Sequence, residues 1–374
     1  MKLSIKPLTD KIDPTFINAG SFLMSLFVNS ALGMLFWLIA ARYFNSSDVG
    51  IISGINSVIN LFVVFSLFGM DTGLIRFLPE KNAKEQYRLI NSANILSGTT
   101  SALLCAIITF ISIFIIKFEP FYSLQSNLLF IISFIFLGSV ATVNILQEYM
   151  IASARDSHYI LIKNFVGNIA KIVLLGGLIL LVLTHGYLGL YLALLISLLL
   201  AFALSSGYFL PKSFPKYRFG FQFDYCQLKE ILPFSFSNYL EVMVNAIPLY
   251  IFPIFIANFI GLEETAYFYI AWYMGYFLFD ISATISKVMV AEITTGYKQE
   301  LSTSMIKRLY MKALIYMLLS TIPLGSVLFL FPNLILSFFG NNYAMYASAL
   351  LRILVIAGII TAFNNQFIAA VFVN

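Results

Sequence analysis

The sequence predicts an all-α, polytopic membrane protein made of two like-oriented helix bundles. Three observations lead there: the composition, the spacing of the apolar blocks, and an internal repeat. Of the 374 residues, 60% are hydrophobic and only 10% are charged, and the mean hydropathy is +0.91. Soluble domains carry about a quarter charged residues, and disordered chains need the opposite balance. The apolar residues fall in blocks of about 20, the length at which a helix crosses a hydrocarbon core of about 30 Å.

Ten spans follow: 17–41, 50–70, 92–116, 127–147, 164–184, 189–210, 234–259, 266–286, 313–337 and 347–368. A polar, basic stretch, PKSFPKYRFGFQFDYCQLKEILP, separates six spans from four. The expected organisation is a six-helix bundle over 1–210, a cytoplasmic linker over 211–233, and a second, incomplete bundle over 234–374. The N-terminus is too polar for a signal peptide, so the first block is read as a retained span.

Lys and Arg sort between the loops. Lys2, Lys6, Lys11, Arg76, Lys81, Lys84, Arg88, Arg155, Lys163, Lys212, Lys216, Arg218, Lys229 and the cluster from Lys287 to Lys312 fall on one side, while Arg42 and Lys117 fall on the other. This asymmetry places the N-terminus in the cytoplasm and the chain in the cytoplasmic membrane. It also accounts for the net charge of +5 without invoking nucleic acid, because the bases form no single face. Cys105, in an apolar block, and Cys226, in a loop, frame neither a disulfide nor a metal site.

Span one into span two reads SFLMSLFVNSALGMLFWLIAARYFNSSDVGII from Ser21, and SNYLEVMVNAIPLYIFPIFIANFIGLEETAYF begins at Ser237. A constant offset of 216 pairs Asn29 with Asn245, Ala41 with Ala257, and Asp48 with Glu264. Six helices separate the copies, so both have the same orientation. This is a parallel repeat about the membrane normal, with a cavity expected at the bundle interface.

Polar residues recur at helical spacing in four spans: Asn18, Ser21, Ser25 and Asn29; Ser53, Asn56, Ser57 and Asn60; Asn164, Asn168 and Lys171; and Ser237, Asn238, Glu241 and Asn245. Interhelical hydrogen bonds explain any one of them; four stripes together point to a wetted cavity. Lys171, Glu241, Asp280 and Arg352 are charges inside spans, where lipid exposure costs about 2.5–3.5 kcal/mol or more. Asp71 and Glu148 lie near span ends, where Arg76 and Arg155 are the expected partners. Pro248 and Pro253 interrupt span seven and read as a kink. LTDKIDPTF and FDYCQLKEILP occupy matching places in the repeat and read as interfacial helices or short connectors.

Residues 36–80, FWLIAARYFNSSDVGIISGINSVINLFVVFSLFGMDTGLIRFLPE, resemble the signature region of the polysaccharide-transporter family, and QLKEILPFSFSNYLE (227–241) resembles the segment opening that family's second bundle. These are flippases for lipid-linked oligosaccharides, in the same superfamily as MATE multidrug exporters and the lipid II flippase. The resemblance implies translocation of a polyprenyl-(pyro)phosphate-linked glycan by alternating access, with no catalytic residue, metal or cofactor. Arg42, Asp48, Gly50, Gly69, Arg76 and Glu80 match family positions that shape the scaffold. Relatives have twelve or fourteen helices, so ten leave the second bundle short.

On that reading Lys171 and Arg352 would hold the phosphate, Arg352 through a bidentate fork. Asn29, Asn56, Asn60, Asn168 and Asn245 would meet sugar hydroxyls. Glu241 and Asp280 would couple transport to H+ or Na+. A MATE-like exporter of cationic drugs is the alternative, and it would need a carboxylate-lined cavity. An intramembrane glycan ligase or polymerase fits less well: His158 and His185 sit in loops, away from any acid–base constellation.

Overall fold

The computed structural model describes residues 14–116, 119, 121, 128–180, 186–297 and 303–373. In chain order the helices are α1 (Pro14–Tyr43), α2 (Ser46–Leu67), α3 (Met70–Phe77), α4 (Ala83–Ile111), α5 (Leu128–Ser153), α6 (Ser157–Leu180), α7 (Tyr187–Leu204), α8 (Leu210–Ser213), α9 (Tyr225–Phe259), α10 (Leu262–Tyr297), α11 (Thr303–Leu330), α12 (Pro332–Ser337) and α13 (Asn341–Val373). Among the described residues, nine helices are long and apolar enough to span a bilayer. The predicted span 266–286 lies inside α10, a single helix of 36 residues. The chain is an all-helical, multi-pass membrane protein.

The helix boundaries reproduce the repeat. α1 ends at Tyr43 and α9 at Phe259, while α2 begins at Ser46 and α10 at Leu262, so both boundaries recur after 216 residues. The matched acids Asp48 and Glu264 each lie in the first turn of their helix, where a carboxylate faces the positive end of the helix dipole. Asp48 has a second task, since its Oδ1 accepts the Tyr187 N–H at 3.1 Å and ties down the start of α7.

Two compact units divide the chain: Met1–Phe36 with Ser47–Leu262, and Trp37–Ser46 with Glu263–Asn374. In the first, α2 is the enclosed element. Of its span 72% is buried, against 22% for α1 and for α6. At its far end the chain turns through Phe68 (φ 50) and Gly69 (φ 69) into α3. A side chain at Gly69 would strike the Ser235 carbonyl of α9, and Tyr239 Oη of α9 donates to the Phe65 carbonyl at 2.8 Å. Arg76 on α3 lies 4.6 Å over the Phe234 ring. The family-matched residues Asp48, Gly69 and Arg76 therefore hold helices together.

The stretch between α8 and α9 is pinned to α4. Asn91 donates from Nδ2 to the Arg218 carbonyl at 3.2 Å and accepts the Gly220 N–H at 3.3 Å, and the Asp224 N–H donates to Ser92 Oγ at 2.7 Å. The Asp224 side chain accepts from the Cys226 and Gln227 N–H groups and caps α9. Most of FDYCQLKEILP is therefore the cap and opening turns of α9, which runs on through Pro233, Pro248 and Pro253. Of LTDKIDPTF, the residues before Pro14 lie outside the described residues.

In the second unit, Gly275 of α10 packs against Leu354 of α13, and Gly358 of α13 against Leu278 of α10. Tyr267 sits 5.1 Å from the Tyr343 ring and 5.2 Å from that of Tyr346. Trp37 meets Tyr269 at 4.8 Å.

Candidate functional site

A cavity of about 210 Å³ lies wholly within the first unit, walled by α1, α2, α5, α6 and α7. Helical spacing places its polar side chains. Asn56 and Asn60 stand one turn apart on α2, and Asn164, Asn168 and Lys171 share a face of α6; together with Asn29 of α1 they line the space. Isoleucine, leucine and alanine side chains, Ile55, Ile59 and Leu194 among them, form most of the remaining wall, with Asn144, Lys163, Tyr191 and Ser197. The expected hollow was between bundles; this one is lined by five helices of one unit.

Amide-to-amide bonds order the lining. Asn168 Nδ2 donates to Asn29 Oδ1 at 2.9 Å and to the Asn164 carbonyl at 2.8 Å, which joins α6 to α1. Asn60 Nδ2 donates to the Asn56 carbonyl at 2.9 Å. The polar stripes thus divide by task. Asn18 accepts the Ser157 N–H at 2.9 Å and caps α6. Ser25, Ser53 and Ser57 donate to carbonyls one turn earlier in their own helices, as serines in apolar helices do.

Two lysines two turns apart on α6 face this space. Lys163, assigned to a cytoplasmic loop by the charge sorting, is instead fully buried in α6. Its Nζ lies 2.5 Å from Glu148 Oε1 and 3.1 Å from Asn144 Oδ1, both on α5. Glu148 therefore pairs with Lys163 and not with Arg155. Arg155 is exposed and sits in the turn after α5 at φ 64. Arg76 packs over the Phe77 and Phe234 rings, where an ion pair with Asp71 was expected.

Lys171 is different. Its Nζ lies 4.9 Å from the centroid of the Phe36 ring, and among the described residues no carboxylate comes within ion-pair distance. A cation–π contact is worth about 0.5–2 kcal/mol and leaves the charge in place. Since Glu148 neutralises Lys163 and the described lining holds no acid, the cavity carries net positive charge on a floor of carboxamides.

Five of the expected binding residues, Asn29, Asn56, Asn60, Asn168 and Lys171, therefore meet in one cavity. Asn245 is exposed on α9 and is not among the lining residues. Arg352 belongs to the second unit, where it is exposed on α13 and donates from Nε to the Phe329 carbonyl at 3.3 Å. The side chains of Glu241, Asp280, Ser237 and Asn238 lie outside the described residues, as do Lys117 and His185. Sequence reasoning missed Lys163, Asn144, Tyr191 and Ser197 as lining residues. The spacing of Asn144 and Glu148, one turn apart and opposite a lysine near a helix end, was the available signal for the first two.

The profile of a family of polysaccharide biosynthesis proteins matches residues 17–290. The chain belongs to that family. The match covers both stretches, 36–80 and 227–241, that carried the resemblance, which is thereby confirmed. Over 92% of its length the chain is 24% identical to the uncharacterized membrane protein MJ1068 of Methanocaldococcus jannaschii, and the match covers 70% of that protein. An inward-facing MATE family multidrug resistance transporter of the MOP superfamily superposes with a TM-score of 0.66 at 14% identity, covering 93% of this chain and 84% of the other. The lipid II flippase MurJ in an inward closed conformation gives 0.65 at 17% identity over 93% and 75%. A MOP superfamily transporter from Pyrococcus furiosus, for which reverse polarity of the binding pocket suggests a different function, gives 0.58 at 12% over 99% and 85%. At these identities the likeness is one of fold, and the fold is that of the MOP transporters.

Proposed function

We propose that this family member is a flippase that moves a polyprenyl-(pyro)phosphate-linked oligosaccharide from the inner to the outer leaflet of the cytoplasmic membrane, with its N-terminus in the cytoplasm. The observation that carries the reading is Lys171, a cation without a carboxylate partner among the described residues, set in a cavity lined by carboxamides. A phosphate in a bundle interior needs a fixed positive charge, and sugar hydroxyls are met by amides that both donate and accept. At about 210 Å³ the space is below the ~300–1,000 Å³ of pockets for drug-sized ligands. It suits the charged end of a head group, with the glycan and lipid outside it. The family description, polysaccharide biosynthesis, and the fold shared with a lipid II flippase support the same reading.

Export of cationic drugs is the second reading, favoured by the fold shared with MATE transporters. A cation entering this cavity would meet Lys171 and no acid among the described lining residues.

Reconstitution into proteoliposomes tests the choice. Wild type should expose a fluorescent lipid-linked oligosaccharide to the outer leaflet, and Lys171→Gln should slow this by about tenfold or more, the loss of one charged hydrogen bond being worth about 1.5–3 kcal/mol. Undiminished flipping by the variant, or transport of ethidium in place of the glycolipid, would refute the assignment.

A further inference from the structure

Lys163 stands between two environments. Its ammonium is held by Glu148 and Asn144, and the residue is one of those that line the cavity. Lys163 is wholly enclosed, whereas the Glu148 side chain keeps 16% of its surface accessible. Glu148 supplies the counter-charge that offsets the cost of enclosing the Lys163 ammonium. An anion that enters the cavity and reaches Lys163 meets an ammonium that already has a partner.

We propose that Glu148 and Lys163 form a displaceable ion pair that links anion binding in the cavity to the uptake of one proton. The inference rests on reading the cavity as an anion site. The balance is simple. Before binding, Lys163⁺ and Glu148⁻ cancel. An incoming anion takes over Lys163⁺, and the carboxylate it strips is neutralised by one proton, reached from its accessible side. The product is an anion on Lys163⁺ beside a neutral Glu148, and each anion has entered with one proton. Asn144, one turn before Glu148 on α5, already bonds Lys163 at 3.1 Å and holds the ammonium in place during the exchange.

Lys163 on α6 is the one cation within ion-pair distance of Glu148 among the described residues. Tyr149, next on α5, shares an electrostatic neighbourhood with Glu148, with Asp71 of α3 and with Tyr250 of α9. α1 brings the uncharged Phe22 ring to 6.3 Å from Tyr149. Beside Glu148 on α5, Gln147 donates to Ser206 Oγ at 2.9 Å. Asp71 is thus the second acid of this region, and its like charge opposes a bare carboxylate once Lys163 is diverted.

The test uses the full chain in nanodiscs with geranyl pyrophosphate as the anion. Calorimetry in buffers of different ionisation heat counts protons taken up per anion bound. The comparison proteins are Glu148→Gln/Lys163→Gln and the apolar pair Glu148→Leu/Lys163→Met, each of which removes both charges and leaves Lys171. The probe's own titration is common to all three. Wild type should take up about one proton more than either variant, and the ratio of its Kd to theirs should rise about tenfold per pH unit over the range in which that whole extra proton is taken up. Infrared difference spectra of wild type alone should gain a protonated-carboxyl band when the probe binds. Equal proton counts, or no such band despite binding, would overturn the linkage and leave the anion site standing. No binding by wild type, or binding unchanged by Lys171→Gln, would overturn the site reading and the linkage with it.

Discussion

α2 and α10 open the second helix of each repeat copy at matched positions and carry matched acids, yet they do different work. Where α2 has Ser53, Asn56, Ser57 and Asn60, the residues 216 further on are Tyr269, Trp272, Tyr273 and Tyr276. Asn56 and Asn60 line the cavity of the first unit. Their counterparts are packed as rings, Trp272 stacking on Phe268 at 5.4 Å and Tyr276 lying tilted against Phe279 at 6.1 Å. The copies also differ at their far ends. α2 breaks at Phe68 and Gly69, whereas α10 runs unbroken through Thr284 and Ile285. Duplication has kept the turn and its acid, which serve the scaffold, and has placed this amide-lined chemistry in one copy.

The largest effect should come from writing the second copy's residues into the first. Asn56→Trp with Asn60→Tyr fills the cavity and removes two carboxamides, so geranyl pyrophosphate binding should weaken about 100-fold or more, that is by about 2.8 kcal/mol. Titration calorimetry on protein that still elutes as one species would show it; retained affinity would mean that the anion binds elsewhere.

Next comes the break. Gly69→Ile forces a β-branched residue to positive φ and into the Ser235 carbonyl, at a cost of about 2–3 kcal/mol. The reciprocal Ile285→Gly costs only about 0.5–1 kcal/mol of helix propensity. Thermal unfolding in detergent should rank the two in that order, and equal shifts would contradict the account of the break.

The smallest expected effect separates matched asparagines. Asn29→Ala removes the acceptor of Asn168 Nδ2 and should weaken probe binding about fivefold, the worth of one ordinary hydrogen bond. Asn245→Ala, on the exposed counterpart, should change it less than about twofold by the same reasoning. Identical losses would place both asparagines at one ligand.

Much of this architecture is legible in the amino-acid sequence itself. Apolar blocks mark the spans because lipid tolerates little else, and the offset of 216 is readable because the polar residues and the loop acid repeat in register. The lysines show where that legibility stops. Lys171 stands out because it lies deep within an apolar block. Lys163, close to the start of α6, looks like a loop base, since nothing local reports that Glu148 waits on the neighbouring helix. Asn18 and Asn29 share one stripe, but the turn after α5 engages the first and the cavity the second. Helical spacing defines a face; packing decides what that face meets.

Lys171, without a carboxylate partner among the described residues, is what separates an anion carrier from a cation exporter here. The direct measurement is the affinity of two geranyl probes, one ending in pyrophosphate and one in trimethylammonium, for wild type and for Lys171→Glu. The account predicts that wild type binds the pyrophosphate alone and that reversing the charge abolishes that binding. Preference of wild type for the ammonium probe, or pyrophosphate binding that survives the reversal, would contradict it.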